Sequence, residues 1–167
     1  MTKKQQSGFT FIEIILYFAL VTIVMSAIIP FAWNVIGGSV KSSIQQEVFA
    51  NARYVSEIIK YEVRNSTGIN SVSATSISLA KSAAEDNPTV ISLASGKLTI
   101  TKGAQASVNL NSNDTSISAL TFTNYTSADN KTKNIQFNFT IGSNLPQMRQ
   151  EYQQSMAIQG SSELRSN

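Results

Sequence analysis

The chain has 167 residues, a net charge of +3 and neither cysteine nor histidine. That length holds one domain plus an appendage, and the composition excludes disulfides, zinc chemistry of the usual ligand sets, thiol and imidazole catalysis and a Ser-His-Asp triad. The lysines and arginines past residue 40 stand singly among acidic residues, so the positive balance forms no patch for nucleic acid.

In chain order, the first element is apolar. Residues 14–33 carry no charge, and their only polar side chains are the hydroxyls of Tyr17, Thr22 and Ser26. As a helix rising about 1.5 Å per residue they span about 30 Å, the hydrocarbon thickness of a bilayer. Lys3 and Lys4 precede the segment with no acid before Glu13. The positive-inside tendency then puts the N-terminus in the cytoplasm and the residues after Trp33 across the cytoplasmic membrane.

A cleaved secretory signal would have a shorter apolar run and a small-x-small site. Here Ala27 and Ala32 follow Met25 and Pro30 at two positions, so that pattern is missing. A plain anchor leaves Glu13 unexplained, because an ionised carboxylate inside a membrane helix costs about 2.5 to 3.5 kcal/mol on insertion scales and calls for a partner.

The run Gly8-Phe9-Thr10-Phe11-Ile12-Glu13, after a leader with two lysines and before an apolar span, resembles the processing site of type IV prepilins and pseudopilins. The resemblance implies cleavage between Gly8 and Phe9 by a membrane aspartyl peptidase, the prepilin peptidase, and methylation of the new amino group on Phe9. It also implies assembly with other pilin or pseudopilin subunits through an inner-membrane platform, with Glu13 neutralising a neighbour's terminal amine and setting register. Pro30 stands where many pilins carry a helix-bending proline, and proline in a helix removes one backbone bond.

After the membrane the helix is expected to continue. Gly37-Gly38 weaken it by about 1 kcal/mol each relative to alanine, but Val40, Ile44, Val48, Ala52, Val55, Ile59 and Val63 form one apolar stripe. Glu57, Lys60 and Arg64 read as a solvated, salt-linked face. Asn65-Ser66-Thr67-Gly68 reads as the stop. The expected helix therefore runs from about Phe9 to about Asn65, bent at Pro30.

Beyond Gly68 the apolar period changes to two. "SVSATSISLAK", "TVISLASGKLTITKG", "ASVNLNS", "ISALTFTNYT" and "NIQFNFTIG" read as strands, with Ser95-Gly96 as a hairpin turn and Asp129-Asn130 at the tip of the final hairpin. A last strand is placed in "EYQQSMAIQ", with a flexible tail at 161–167. One sheet face is expected to cover the helix stripe from Val40 to Val63.

The order "YVSEIIKYEVRNSTGI", "ISLASGKLTIT", "NDTSISALTFTNYT" and "IQFNFTI" resembles J-type minor pseudopilins and W-type minor pilins. Many major pilins close this region with a disulfide, which a cysteine-free chain lacks. That departure favours a minor, initiating or tip subunit.

Other signals stay structural. Glu85-Asp86 offers too few oxygens for calcium and reads as a turn. The N-x-S/T triplets at Asn65, Asn113, Asn124, Asn130 and Asn138 arise by chance in a Ser/Thr/Asn-rich chain. No phosphate-binding glycine loop or acid-base carboxylate pair is present, and no cofactor or metal is called for. The fold expected is α+β: a leader at 1–8, a membrane and assembly helix at 9–33, its amphipathic continuation at 34–66, and a β-rich region at 67–160. The rival reading is an uncleaved, membrane-anchored binding module on the outer side of the membrane.

Overall fold

The computed structural model describes residues 8–129, 132–146 and 149–165, and the chain divides into two units, residues 1–40 and 41–167. Helix α1, Phe11–Arg64, contributes to both. It continues through Pro30 and through Gly37-Gly38. In the first unit no described side chain is buried, and α1 is long and apolar enough to cross a membrane.

The second unit holds the core. Its β-structure falls into two antiparallel sheets where one was expected. The first contains β1 (Gly68–Val72), β2 (Ser76–Ala80), β3 (Thr89–Ala94), β4 (Lys97–Lys102) and β5 (Val108–Asn109) in that order. The second contains β6 (Thr115–Asn124), β7 (Asn134–Ser143) and β8 (Ser155–Glu163). Within the second sheet the pairing of β6 with β7 shifts between Ser118 and Thr121, with Ala119 at φ 52°. At this bulge the strand turns to meet the hairpin ends of the first sheet, and the Ile117 and Phe122 amides donate to Gly96 O and Ala74 O.

The β3–β4 hairpin closes through Ser95 and Gly96, both at positive φ (51° and 77°), as a two-residue primed turn requires. Gly96 also lies against β6, where an added Cβ would meet Ser116 Oγ at 2.3 Å. The loop with Asp129 joins β6 to β7, so it tips the penultimate hairpin; β7–β8 is the last. Asn130 lies outside the described residues.

The helix stripe is buried from Ile44 through Val48, Ala52, Val55 and Ile59 to Val63, against Ile77, Leu79, Ile91, Leu98, Phe137 and other apolar residues of both sheets. Val40 is only partly covered. The helix ends at Arg64, and Gly68 opens β1 instead of capping it. Ser66 stops the helix, its hydroxyl and amide both donating to Val63 O at 2.7 and 3.2 Å. Two other boundaries moved. Gln150–Tyr152 is a short 3-10 turn, and β8 runs past Gly160 to Glu163, because Ser162 and Leu164 are buried. The first three residues of the tail expected at 161–167 therefore belong to a strand.

Two polar clasps fix the helix to the sheets. Toward its middle, Asn51 Oδ1 accepts from the Ser112 amide and Glu47 Oε1 accepts from the Ser112 hydroxyl, both at 2.9 Å. In its last turns Glu62, on the apolar stripe and only 3% exposed, meets Lys81 just past β2 at 2.7 Å and Lys102 at the end of β4 at 2.8 Å. Lys81 Nζ also donates to Glu62 O. Burial raises the Glu62 carboxyl, but the hydrogen bonds and charges of Lys102 and Lys81 outweigh it and hold the group below its ordinary value. The same hydrogen bond raises Lys102.

Glu62→Gln leaves two buried or half-buried ammonium groups without their anion and is expected to destabilise the folded region by about 3 kcal/mol, read as a lower midpoint in urea. Because the Glu62 pKa is depressed on folding, its stabilisation is present above the ordinary carboxylate range and disappears as pH falls through the lower folded value. Thermal melting of the parent is expected to drop across that acid window, and Glu62→Gln is expected to flatten this drop.

Candidate functional site

Gly8, Phe9, Thr10 and Glu13 lie at the start of α1 within the first unit. A Cβ built on Gly8 would have nothing within 4 Å, so a side chain there meets open space among the described residues. Phe9 is exposed, as are Phe11 and Ile12.

Thr10 is the residue before the first helical position. Its carbonyl accepts from the amides of Glu13 and Ile14 at 3.1 and 3.3 Å, and its hydroxyl lies 3.4 Å from the Glu13 amide. Thr-x-x-Glu at a helix start is the pattern of a capping box, and Glu13 also sets a negative group in the first turn, where the helix dipole favours it. The Tyr17 hydroxyl, one turn later, donates to Glu13 Oε1 at 3.3 Å. The chain thus brings together Thr10, Glu13 and Tyr17, a cluster legible in the Thr-x-x-Glu and i,i+4 spacings but not anticipated from them. Pro30 is placed further along the helix and takes no part.

Elsewhere in the apolar segment the polar groups are satisfied within the helix. Thr22 Oγ1 donates to Ala19 O at 2.8 Å and Ser26 Oγ to Ile23 O at 2.7 Å, the local pairing that a hydrocarbon environment demands. Glu13 differs. It is the only charged residue between Phe9 and Val40, and among the described residues no cation reaches it. Its hydrogen bond from Tyr17 comes from a neutral donor, so its charge is not compensated within the described part of the chain. Such an arrangement can receive one further positive group at the helix start.

Among the described residues no three His, Cys, Asp or Glu side chains gather as a metal site. Nor, among the described residues, does a buried side-chain nitrogen or oxygen lack a hydrogen-bond partner.

Residues 3–29 match the family described as the prokaryotic N-terminal methylation motif. No curated protein and no solved structure matches the chain. The motif, joined to a long, partly apolar helix whose second half packs on antiparallel β-structure, makes this a pilin-like structural module with an N-terminal processing and methylation signal, as in prepilin-type subunits in general. The motif implies interaction with a prepilin peptidase-like system, and the apolar helix is of the kind that anchors a chain in a membrane.

Thr10→Val removes the capping hydroxyl and is expected to cost the first turn about 1 kcal/mol. In detergent micelles, hydrogen exchange at the Glu13 amide should quicken by about fivefold, with exchange in the β-region unchanged.

Proposed function

We propose that this chain is the precursor of a minor subunit of a type IV pilus or a related secretion or DNA-uptake filament. Prepilin peptidase cuts between Gly8 and Phe9, and the new Phe9 amine is methylated. The apolar helix is held in the bilayer with its N-terminus in the cytoplasm, and the subunit then passes through the inner-membrane platform into a fibre. There Glu13 receives the terminal amine of a neighbouring subunit, and Pro30 supplies a bend in the packed helix.

The observation that carries this reading is Glu13: a carboxylate that no cation of the described residues reaches, in the first turn of an apolar helix and five residues after Gly8. Leaving that charge alone in hydrocarbon is unfavourable, and an ammonium placed beside it removes most of the penalty. Cleavage creates such an ammonium on every copy. The shortage in one chain is then met by the product of processing in another. The exposed apolar residues of α1 have lipid as their partner before assembly and neighbouring helices after it. The absence of cysteine and the order of the β-segments support a minor over a major subunit.

Intact-mass analysis of the protein from its native host is expected to show loss of residues 1–8 and one added methyl on Phe9. Gly8→Val meets open space in the fold, so any effect falls on the peptidase: the variant should keep its full leader and stay in the membrane fraction. A valine variant trimmed like the parent would remove the peptidase assignment. Glu13→Ala should be cut and methylated normally but enter sheared fibres at least tenfold less than the parent. Equal incorporation would show that register does not depend on this carboxylate.

A further inference from the structure

The four outer strands of the two sheets are unlike one another. In the five-stranded sheet, β1 has 5 residues with a register shift between Ile69 and Ser71, and β5 has only 2. In the three-stranded sheet β6 is bulged, and the Ile117 and Phe122 amides are taken up by the other sheet's turns. These are ordinary ways of closing a sheet edge. By contrast β8 has 9 residues paired with β7 from Asn134↔Glu163 to Gly142↔Ser155 without a break. Its run SMAIQGSS has no charge, no proline and no bulge, so these three protections are missing from it.

The hydrogen-bond phase of β8 follows from its ends. The Leu164 amide donates to Lys133 O and the Ser143 amide to Gln154 O, both at 2.9 Å. In an antiparallel ladder this phase turns the backbone of Met156, Ile158, Gly160 and Ser162 toward β7, and that of Ser155, Ala157, Gln159 and Ser161 outward. Near Glu163 the strand is closed off by α1, where Ser162 Oγ donates to Lys60 O and the Arg165 amide to Arg64 O. The open part is therefore Ser155 to Ser161, whose outward-turned residues are all exposed. Beneath it the core is unfinished. Phe137, Phe139 and Ile141 of β7 are buried, whereas Met156 and Ile158 of β8 are only partly covered.

We propose that the free edge of β8 takes an extended segment from another subunit of the filament, which adds a strand to the three-stranded sheet. Alternate outward amides and carbonyls are matched by the backbone of an extended chain. The absence of charge from Ser155 to Ser162 selects an uncharged segment, and partly covered Met156 and Ile158 select apolar side chains at its alternate positions. The occupant's subunit identity rests on the filament reading above; the strand chemistry does not.

Proline at Ala157 or Gln159 removes an amide that β7 does not use, so it blocks an incoming strand while leaving the sheet paired. Full-length Ala157→Pro and Gln159→Pro, expressed with the native assembly system, are expected to be trimmed normally and to melt like the parent in detergent, yet to enter sheared fibres at least tenfold less. Parent-like incorporation of both prolines overturns the proposal and leaves the filament reading intact; a parent chain absent from sheared fibres sinks the filament reading instead. A second measurement is independent of assembly. A labelled synthetic peptide of residues 134–142, an uncharged strand with the required alternation, should bind the detergent-solubilised full chain saturably and lose at least tenfold in affinity to Ala157→Pro. No binding, or binding indifferent to proline, overturns the edge assignment whatever the prolines do in cells.

Discussion

The second unit depends on how the last turns of α1 are held. Glu62 sits among the apolar residues Ile59 and Val63 and is fixed by one lysine following β2 and another ending β4. Burying an ion pair gains little net stability, because desolvation offsets the attraction, but it penalises every arrangement that leaves the charge unmatched. A helix shifted along or rotated against the first sheet draws the two Glu62 oxygens away from Lys81 and Lys102. With that end fixed, and with Ser112 bound to Asn51 and Glu47 further up the helix, the stripe from Ile44 to Val63 is covered without ambiguity of register. Hydrophobic burial supplies the driving force; the two clasps decide which packing it drives.

The helix therefore carries two carboxylates with opposite situations. Glu62 is buried and matched twice within its own chain, which makes it a structural group. Glu13 lies in an apolar segment, and among the described residues its carboxylate receives a hydrogen bond from the neutral Tyr17 hydroxyl alone. Either residue, read as a letter in a sequence, is an acid within an apolar run. What separates them is whether a cation of the described residues reaches the carboxylate. The same division appears in the apolar surface. One face of α1 is buried in the second unit, whereas the segment before Val40 is mostly apolar and has no buried side chain among the described residues, the pattern of a helix whose solvent is lipid or other helices.

Much of this was legible from local signals. The Gly8–Glu13 run, the uncharged span, the stripe at spacings of three and four, and the change to period two after Gly68 are all short-range patterns, and the positive-φ pair Ser95-Gly96 stands where its turn was expected. The misses share a different cause. Glu62 was passed over although it stands three residues after Ile59, on the buried face; the signal was an acid on an apolar stripe, but its lysines are distant in sequence. The split into two sheets depends on which distant strands pair, and neither it nor the left-handed conformation of Ala119 within β6 is announced by an alternation pattern. At the end of β8, Ser161 and Ser162 read locally as a polar tail, while Leu164 beyond them is buried in the core.

The glycine in β8 shows why that strand remained hard to place. Gly160 pairs with Phe137, and an added Cβ would stand 2.4 Å from the Phe137 ring. The ring needs the space that a side chain would take, so a residue that weakens strands in isolation is the one that lets this strand lie flat over the core. Phe137 is fully buried as a result, and its ring stacks with Phe139 at 6.2 Å between centroids. Local propensity argues for a turn at Gly160 and the packing requires a strand there. Packing prevails because a buried aromatic ring is worth more than the modest conformational entropy that fixing one glycine loses.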